Sequence, residues 1–189
     1  MTPRRPRASR RPATPRARQP ADEPVAAPAA DGLVRVRLDL GYDGAPFSGW
    51  ARQPARRTVQ GELEDALGKV LGAPVSLTVA GRTDAGVHAT GQVAHFDAPV
   101  SVEPTEIVRR VNRALDDSIR VYAAQQVPST FDARFSALWR RYSYRVADAT
   151  SAQGPLRRHD TVWHPRALSL RAMRLASKPL VGEHDFVAF

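Results

Sequence analysis

The sequence predicts an α+β fold in which two helices cover one side of an antiparallel sheet. Some segments alternate apolar and polar residues, as half-buried strands do, and others carry an apolar residue every three or four positions, as amphipathic helices do. Between residues 33 and 123 they follow the order strand, helix, strand, strand, helix, strand. That order defines the ferredoxin-like βαββαβ unit. Its two helices cover a single face of the sheet, and the other face stays free for a ligand such as RNA.

The first half of the unit contains a strand, a loop and a helix, followed by a second strand. Residues 33–40 alternate, and a loop rich in glycine and proline follows over residues 41–54. Thr58 is a suitable N-cap for a helix that Gly72 ends. Its apolar stripe consists of Val59, Leu63, Ala66, Leu67, Val70 and Leu71. Residues 75–79 alternate again and predict the second strand.

The second half of the unit completes the sheet. Residues 91–96 predict a third strand, and residues 119–123 a fourth. Pro104 is well placed at the start of the helix between them, because the first turn of a helix tolerates a missing N–H. The apolar stripe of this helix is Ile107, Val108, Val111 and Leu115.

A second, similar unit begins after the first but is incomplete. Residues 139–146 predict a strand with Tyr142 and Tyr144 on one face, and residues 168–180 predict a helix. The further strands and helix that would finish this unit do not follow. We therefore expect three parts: a disordered Arg/Pro-rich arm, an N-terminal ferredoxin-like domain, and the truncated start of a second α/β domain. Their bounds are 1–31, 32–128 and 129–189.

Basic residues dominate the charge of the chain. The formal net charge is +9, and 26 of the 28 basic residues are arginine. Arginine suits bidentate contacts to phosphate, which favours an RNA partner. A GC-rich coding sequence explains the same bias equally well. Seven arginines lie in the arm, which either adds non-specific attraction for RNA or is a dispensable extension.

Composition excludes several classes of protein. The chain has no cysteine, so disulfides, thiol nucleophiles and CxxC metal sites are ruled out. No segment approaches the roughly 20 apolar residues of a membrane-spanning helix, and none has the apolar region of a secretory signal. The five histidines show no spacing typical of a metal site. We expect a cytoplasmic protein without membrane or metal.

The segment most suggestive of function is Ala-Gly-Arg-Thr-Asp-Ala-Gly-Val-His-Ala, residues 80–89. It follows an apolar strand and carries Arg82 and Asp84 two positions apart. A glycine-rich loop on a rigid sheet can present such side chains in a cleft. The simpler interpretation is a tight connection in which Arg82 and Asp84 pair and Gly86 makes the turn.

The segment 80–89 resembles the signature of the tRNA pseudouridine synthase A (TruA-like) family. Other stretches are similar to motifs of the same family: residues 42–53, 60–67, 91–96, 131–136, 140–144 and 182–186. The resemblance covers roughly residues 32–189, the N-terminal portion of such an enzyme. The later helix, whose basic residue pairs with the catalytic aspartate in the family, is absent.

The resemblance implies an isomerase that converts uridine to pseudouridine in the anticodon stem-loop of tRNA, without cofactor or metal. It makes Asp84 the catalytic carboxylate and Arg82 the residue that fills the space left by the flipped base. Tyr142 would stack on that base, although a tyrosine on an alternating strand is more often a core residue. The implied full-length enzyme is a homodimer. Further RNA contacts carried over from the family are Thr90, Gly91, Gln92, Phe131, Asp132, Ala133 and Arg134.

Two other functions stay open at this stage. The βαββαβ order is also that of non-catalytic RNA-binding modules of the RRM type, although residues 91–96 lack the two spaced aromatics that stack bases there. The other alternative is a catalytically inactive fragment that binds no RNA.

Overall fold

The computed structural model describes residues 32–151 and 154–187. The predicted disordered arm, residues 1–31, lies outside the described residues. Within them the chain forms six strands and three α-helices. The strands are β1 Leu33–Tyr42, β2 Thr78–Val79, β3 Ala89–Pro99, β4 Ile119–Val127, β5 Val146–Ala147 and β6 Val162–Trp163; the helices are α1 Val59–Leu71, α2 Pro104–Ala114 and α3 Leu170–Ser177.

Strands β1 to β4 form one sheet in the order β2-β3-β1-β4, and all of its neighbouring strands are antiparallel. Strand β1 lies in the interior, where Leu38 faces Ala94 on one side and Ala124 on the other. This strand order and the element order β1-α1-β2-β3-α2-β4 confirm the predicted ferredoxin-like unit.

The alternation in β1 decides which face of the sheet becomes the core. Val36, Leu38 and Leu40 are each fully buried and belong to the same cluster as the inward-facing residues of α1 and α2. Burying one such aliphatic side chain stabilises the fold by about 1.5–3 kcal/mol. The helical members of the cluster are Val59, Leu63, Ala66, Leu67, Ile107 and Val111.

The intervening residues of β1 line the opposite face, which is polar. Arg37 pairs with Asp39 there, with 2.6 Å between the guanidinium and the carboxylate. Further along, Gly41 faces the ring of Tyr122 on β4. A Cβ at position 41 would lie 2.1 Å from the Tyr122 hydroxyl oxygen and 2.9 Å from the Ala89 carbonyl oxygen, so a larger residue here would have to displace both.

The second strand is shorter than predicted. The alternation suggests residues 75–79, but β2 contains only Thr78 and Val79. At Leu77, hydrogen bonds to side chains of α1 take the place of backbone hydrogen bonds to a neighbouring strand. The Leu77 N–H donates to the Glu64 carboxylate at 3.0 Å, and the Leu77 carbonyl accepts from the Gln60 amide.

The prediction of a strand over residues 139–146 is wrong. Only Val146 and Ala147 are extended in a sheet, and they form a parallel pair with β6. Trp139, Tyr142 and Tyr144 are 74–80% exposed, so within the described residues these aromatic side chains have no surface to pack against. The helix predicted over 168–180 is present as α3 and a following 3-10 turn, Lys178–Leu180.

The N-cap of α1 gives a direct test of this local structure. The Thr58 hydroxyl accepts from the Gly61 N–H at 3.2 Å, and Thr58 is buried. We expect Thr58→Ala to lower the free energy of unfolding by about 1 kcal/mol, because the Gly61 N–H loses its partner. Urea unfolding followed by circular dichroism measures the change. Thr58→Ser keeps the hydroxyl and should recover most of the loss; an equal loss in both variants would contradict the cap.

Candidate active site

The signature loop, residues 80–88, connects β2 to β3 and exposes alternate side chains. Gly81 and Thr83 are half-buried, whereas Arg82 and Asp84 are exposed. Burial thus alternates from residue to residue over this stretch. The loop therefore has an inner side, at Gly81 and Thr83, and an outer side, at Arg82 and Asp84.

On its inner side the loop is bound by two buried polar side chains. The Tyr42 hydroxyl lies 2.8 Å from the Thr83 hydroxyl, and the Gln92 amide donates to the Gly81 carbonyl at 2.7 Å. The same amide nitrogen donates to the Tyr42 oxygen at 3.2 Å, so the Tyr42 hydroxyl hydrogen is left to donate to Thr83. Burial raises the pKa of Tyr42, which keeps the phenol protonated.

A second support comes from residues 47–50, whose backbone lies directly against the loop. The Trp50 N–H donates to the Thr83 carbonyl at 2.9 Å, and the Gly86 N–H donates to the Phe47 carbonyl at 3.3 Å. Gly49 has φ +92°, and a Cβ there would lie 2.9 Å from the Thr83 oxygen. Only glycine adopts this conformation readily and permits this approach.

The outer side of the loop is left to solvent. Within residues 32–151 and 154–187, neither the Arg82 guanidinium nor the Asp84 carboxylate has a side-chain hydrogen bond or an ion pair, so the structure does not show the pairing of Arg82 with Asp84. Gly86 does make the turn, with φ +78°. A carboxylate and a guanidinium, held two residues apart on a braced backbone, are thus both accessible to a ligand.

A second group of predicted site residues follows β4, and Arg35 on β1 holds it in place. The Arg35 guanidinium is 6% exposed and forms a bidentate pair with Asp97 at 2.9 and 3.1 Å. It also donates to the carbonyls of Ser129 and Phe131, at 2.7 and 2.9 Å. Charged donors of this kind form strong hydrogen bonds, which fix the chain as it leaves the sheet.

His95 on β3 fixes the next part of this segment. Its Nδ1 accepts from the Ala133 N–H at 3.0 Å, and its ring meets the Phe131 ring edge-on at 5.9 Å between centroids. Asp132 accepts from the N–H groups of Arg134 and Phe135, at 2.8 and 3.1 Å. Of the four predicted RNA contacts in this segment, Ala133 is buried and Arg134 is exposed.

Arg140 joins the two groups of residues. Its guanidinium donates to the Ala80 carbonyl, with 3.0 Å from Nε, and to the Arg134 carbonyl at 3.1 Å. The start of the signature loop and the segment after β4 are therefore brought together. Tyr142 lies two residues beyond and is 76% exposed, with its ring in solvent.

The remaining predicted contacts lie at the start of β3. Thr90 and Gly91 are exposed, whereas Gln92 is 8% exposed and faces the inner side of the loop. A role of Gln92 in contacting RNA stays a prediction, and so does that of the buried Ala133. Among the residues described, no cluster of histidine and carboxylate side chains could hold a metal ion. In the same part of the chain no helix has the length and apolar character needed to cross a bilayer.

Comparison with known proteins places this chain in a family. A family model described as tRNA pseudouridine synthase matches residues 41–136, half of the chain. The chain belongs to this family. The matched range contains the signature loop, both of its supports and the Phe131–Arg134 segment.

Individual relatives in the family are similar over most of this chain. A protein named tRNA pseudouridine synthase A from Frankia casuarinae is 59% identical over 160 residues, which cover 84% of this chain and 58% of the relative. Relatives of the same name from Streptomyces griseus and Corynebacterium glutamicum are 55% and 51% identical; the match covers 85% and 82% of this chain, and 58% and 57% of each relative. The chain thus spans somewhat more than half the length of these proteins.

Sequence reasoning missed the residues that hold the site. Arg35, Tyr42 and His95 each bond a residue at least 38 positions away, so no local spacing marks them. Tyr42 and His95 fall in stretches that resemble family motifs, and Arg35 and His95 are polar residues in strands. Neither signal assigns them a supporting role, since charged residues in β1 also occur at positions 37 and 39.

The buried His95 makes the stability of this region depend on pH. Burial, and then the charge of Arg35, lower its pKa from 6.5, against the opposing effect of Asp132 and Asp97. The unfolded chain therefore binds the proton more readily, and the free energy of unfolding should decrease as pH falls below about 6.5. Urea midpoints measured between about pH 5 and pH 7.5 test this.

In His95→Gln this part of the pH dependence should disappear, because the amide does not titrate. The exposed His159→Gln serves as the control and should keep the wild-type slope. The same slope in wild type and His95→Gln would show that another group is responsible.

Proposed function

We propose that this protein converts uridine to pseudouridine in the anticodon stem-loop of tRNA, with Asp84 as its catalytic carboxylate. The observation that carries the proposal is the presentation of Asp84. Its carboxylate is exposed beside Arg82, on a loop whose inner side is fixed by Tyr42, Gln92 and Trp50. Family membership and relatives named tRNA pseudouridine synthase A support the substrate class.

The reaction explains why a free carboxylate is needed. Isomerisation breaks the bond between the uracil N1 and the ribose C1′, turns the base and rejoins it through carbon. Atoms are neither added nor lost, so no cofactor enters the balance. An ionised carboxylate beside the ribose either attacks the nucleotide or removes a proton from the sugar. Asp84 meets this need, since no described side chain neutralises or covers its carboxylate.

The target base must leave the stem-loop before it reaches Asp84. Extruding a base costs a few kcal/mol, which a group that fills the vacated space can offset. Arg82 is exposed on the same side of the loop as Asp84 and has no ion-pair partner in the described ranges, so its guanidinium is available for this role. We assign base flipping to Arg82 and stacking on the flipped base to Tyr142.

Phosphate contacts supply affinity in this proposal. The chain carries a net charge of +9, and Arg134 lies exposed on the segment that Arg140 joins to the loop. Together with Thr90, Gly91 and Phe131 it forms the RNA-facing surface that we propose. We further propose that the protein acts in the cytoplasm, as its composition suggests, and as a homodimer, as the resemblance implies.

The first test concerns Asp84→Ala. Because the chain spans 58% of the Frankia casuarinae relative, the protein is assayed alone and joined in frame to the C-terminal remainder of that relative. We expect the release of tritium from labelled tRNA to fall by more than about 100-fold, since the reacting carboxylate is lost. The Kd for tRNA should change little, because phosphate contacts dominate it.

Asp117→Ala is the matched control, because Asp117 is fully exposed and lies in the turn after α2. Turnover in Asp84→Ala comparable to that of the control would remove Asp84 from its role. Binding of tRNA without turnover, even when the unsubstituted protein is joined to the remainder of the relative, would favour a non-catalytic RNA-binding module instead.

The second test concerns Arg82→Lys. Lysine keeps the charge but lacks the planar fork, so we expect turnover to fall much more than tRNA affinity. A tRNA whose target base is already unpaired should recover part of the turnover, because less energy is needed to extrude it. Arg110→Lys on the exposed side of α2 is the control. Equal losses of turnover and affinity, with no recovery, would identify Arg82 as an ordinary phosphate contact.

A further inference from the structure

Two buried polar side chains behind the signature loop have no direct part in the proposed chemistry. Tyr42 is 5% exposed and Gln92 is 8% exposed, so neither presents its polar atoms to a ligand. Their hydrogen bonds nevertheless end on the loop, at Thr83 and Gly81. Gly81 and Thr83 flank Arg82, and Thr83 directly precedes Asp84.

We propose that Tyr42 and Gln92 are positioning residues, which hold Arg82 and Asp84 in their reactive orientation without contacting RNA. Together with Thr83 they form a loop brace. The proposal rests on the proposed function for the reaction that is being positioned. It assigns Gln92 to the interior of the site, although the family resemblance suggests it as an RNA contact.

The geometry of the brace explains why both residues are needed. The Gln92 amide spans the gap between the Gly81 carbonyl and the Tyr42 oxygen, at 2.7 and 3.2 Å. Its bond to Tyr42 leaves the phenol hydrogen free to donate to Thr83, 2.8 Å away. Loss of either side chain thus leaves a buried donor or acceptor of the other without its partner, which is unfavourable.

The brace acts at the inner side of the loop, and its effect is on the outer side. The Trp50 N–H already fixes the Thr83 carbonyl, so the brace sets the direction of the Thr83 side chain and of the Gly81 carbonyl. Rotation of the peptide units next to these groups turns Arg82 and Asp84. A displacement of about 1 Å at a reacting group reduces turnover by up to about 100-fold.

The experiment uses Tyr42→Phe and Gln92→Met, which keep size and remove the bonding atoms. We expect kcat to fall about 10- to 100-fold in each, with KM and the Kd for tRNA within about threefold of wild type. The double variant should be no worse than the poorer single one, because the two residues act as one unit. Gln126→Met, at an exposed position of β4, is the control and should keep wild-type kinetics.

Hydrogen exchange of the chain itself gives a second readout that needs no activity. The hydrogen-bonded amides of the loop, at Ala80, Gly86 and Val87, should exchange at least about tenfold faster in both variants, while those of α1 and the centre of β1 keep their wild-type rates. If Gln92→Met fails to fold, Tyr42→Phe carries the test, since it removes a single oxygen.

The outcomes separate the brace from the reaction. A rise in KM and Kd with unchanged exchange would overturn the proposal and identify Gln92 as an RNA contact. If the unsubstituted protein has no turnover even when joined to the C-terminal remainder of the relative, the proposed function fails, and the exchange of Ala80, Gly86 and Val87 still decides the brace. Unchanged exchange in both variants would overturn it, and faster exchange confined to the loop would support it.

Discussion

The backbone of residues 47–50 lies in direct contact with the backbone of residues 83–86, and the arrangement of the site depends on this contact. Gly49 makes it possible, because any Cβ there would meet the Thr83 carbonyl at 2.9 Å. The contact ties the loop after β1 to the loop after β2, and the carbonyls of Gly49 and Trp50 accept from the first N–H groups of α1. The helix layer and the site are thus joined through one pair of loops.

The second group of site residues has its own support, which is electrostatic. Arg35 neutralises Asp97 and donates to two carbonyls of the segment that leaves β4. These partners compensate for the burial of its charge. Lys could not replace it, because an ammonium cannot bind a carboxylate in bidentate fashion. The guanidinium of Arg140 then connects this segment to Ala80. Two separately supported pieces of chain therefore meet at the start of the signature loop.

The sequence predicts the ferredoxin-like unit well because its signals are local. The alternation of β1, the Thr58 cap and Pro104 at the start of α2 each act within a few residues, and the structure has all three. The interior of the site could not be predicted in this way. Its supports join Tyr42 to Thr83 and Arg35 to Phe131, and only the folded sheet brings them together. The alternation at 139–146 misleads for the converse reason, since it marks an apolar face without a described partner.

The packing around Gly41 constrains two neighbouring positions unequally. An alanine at 41 would have to displace the Tyr122 ring, which is exposed, and also the Ala89 carbonyl oxygen, which lies 2.9 Å from the added Cβ and belongs to the backbone of β3. Glycine at 41 should therefore persist in diverging lineages whichever residue stands at 122. In this way a steric constraint within the sheet fixes one position through evolution and leaves its neighbour free to vary.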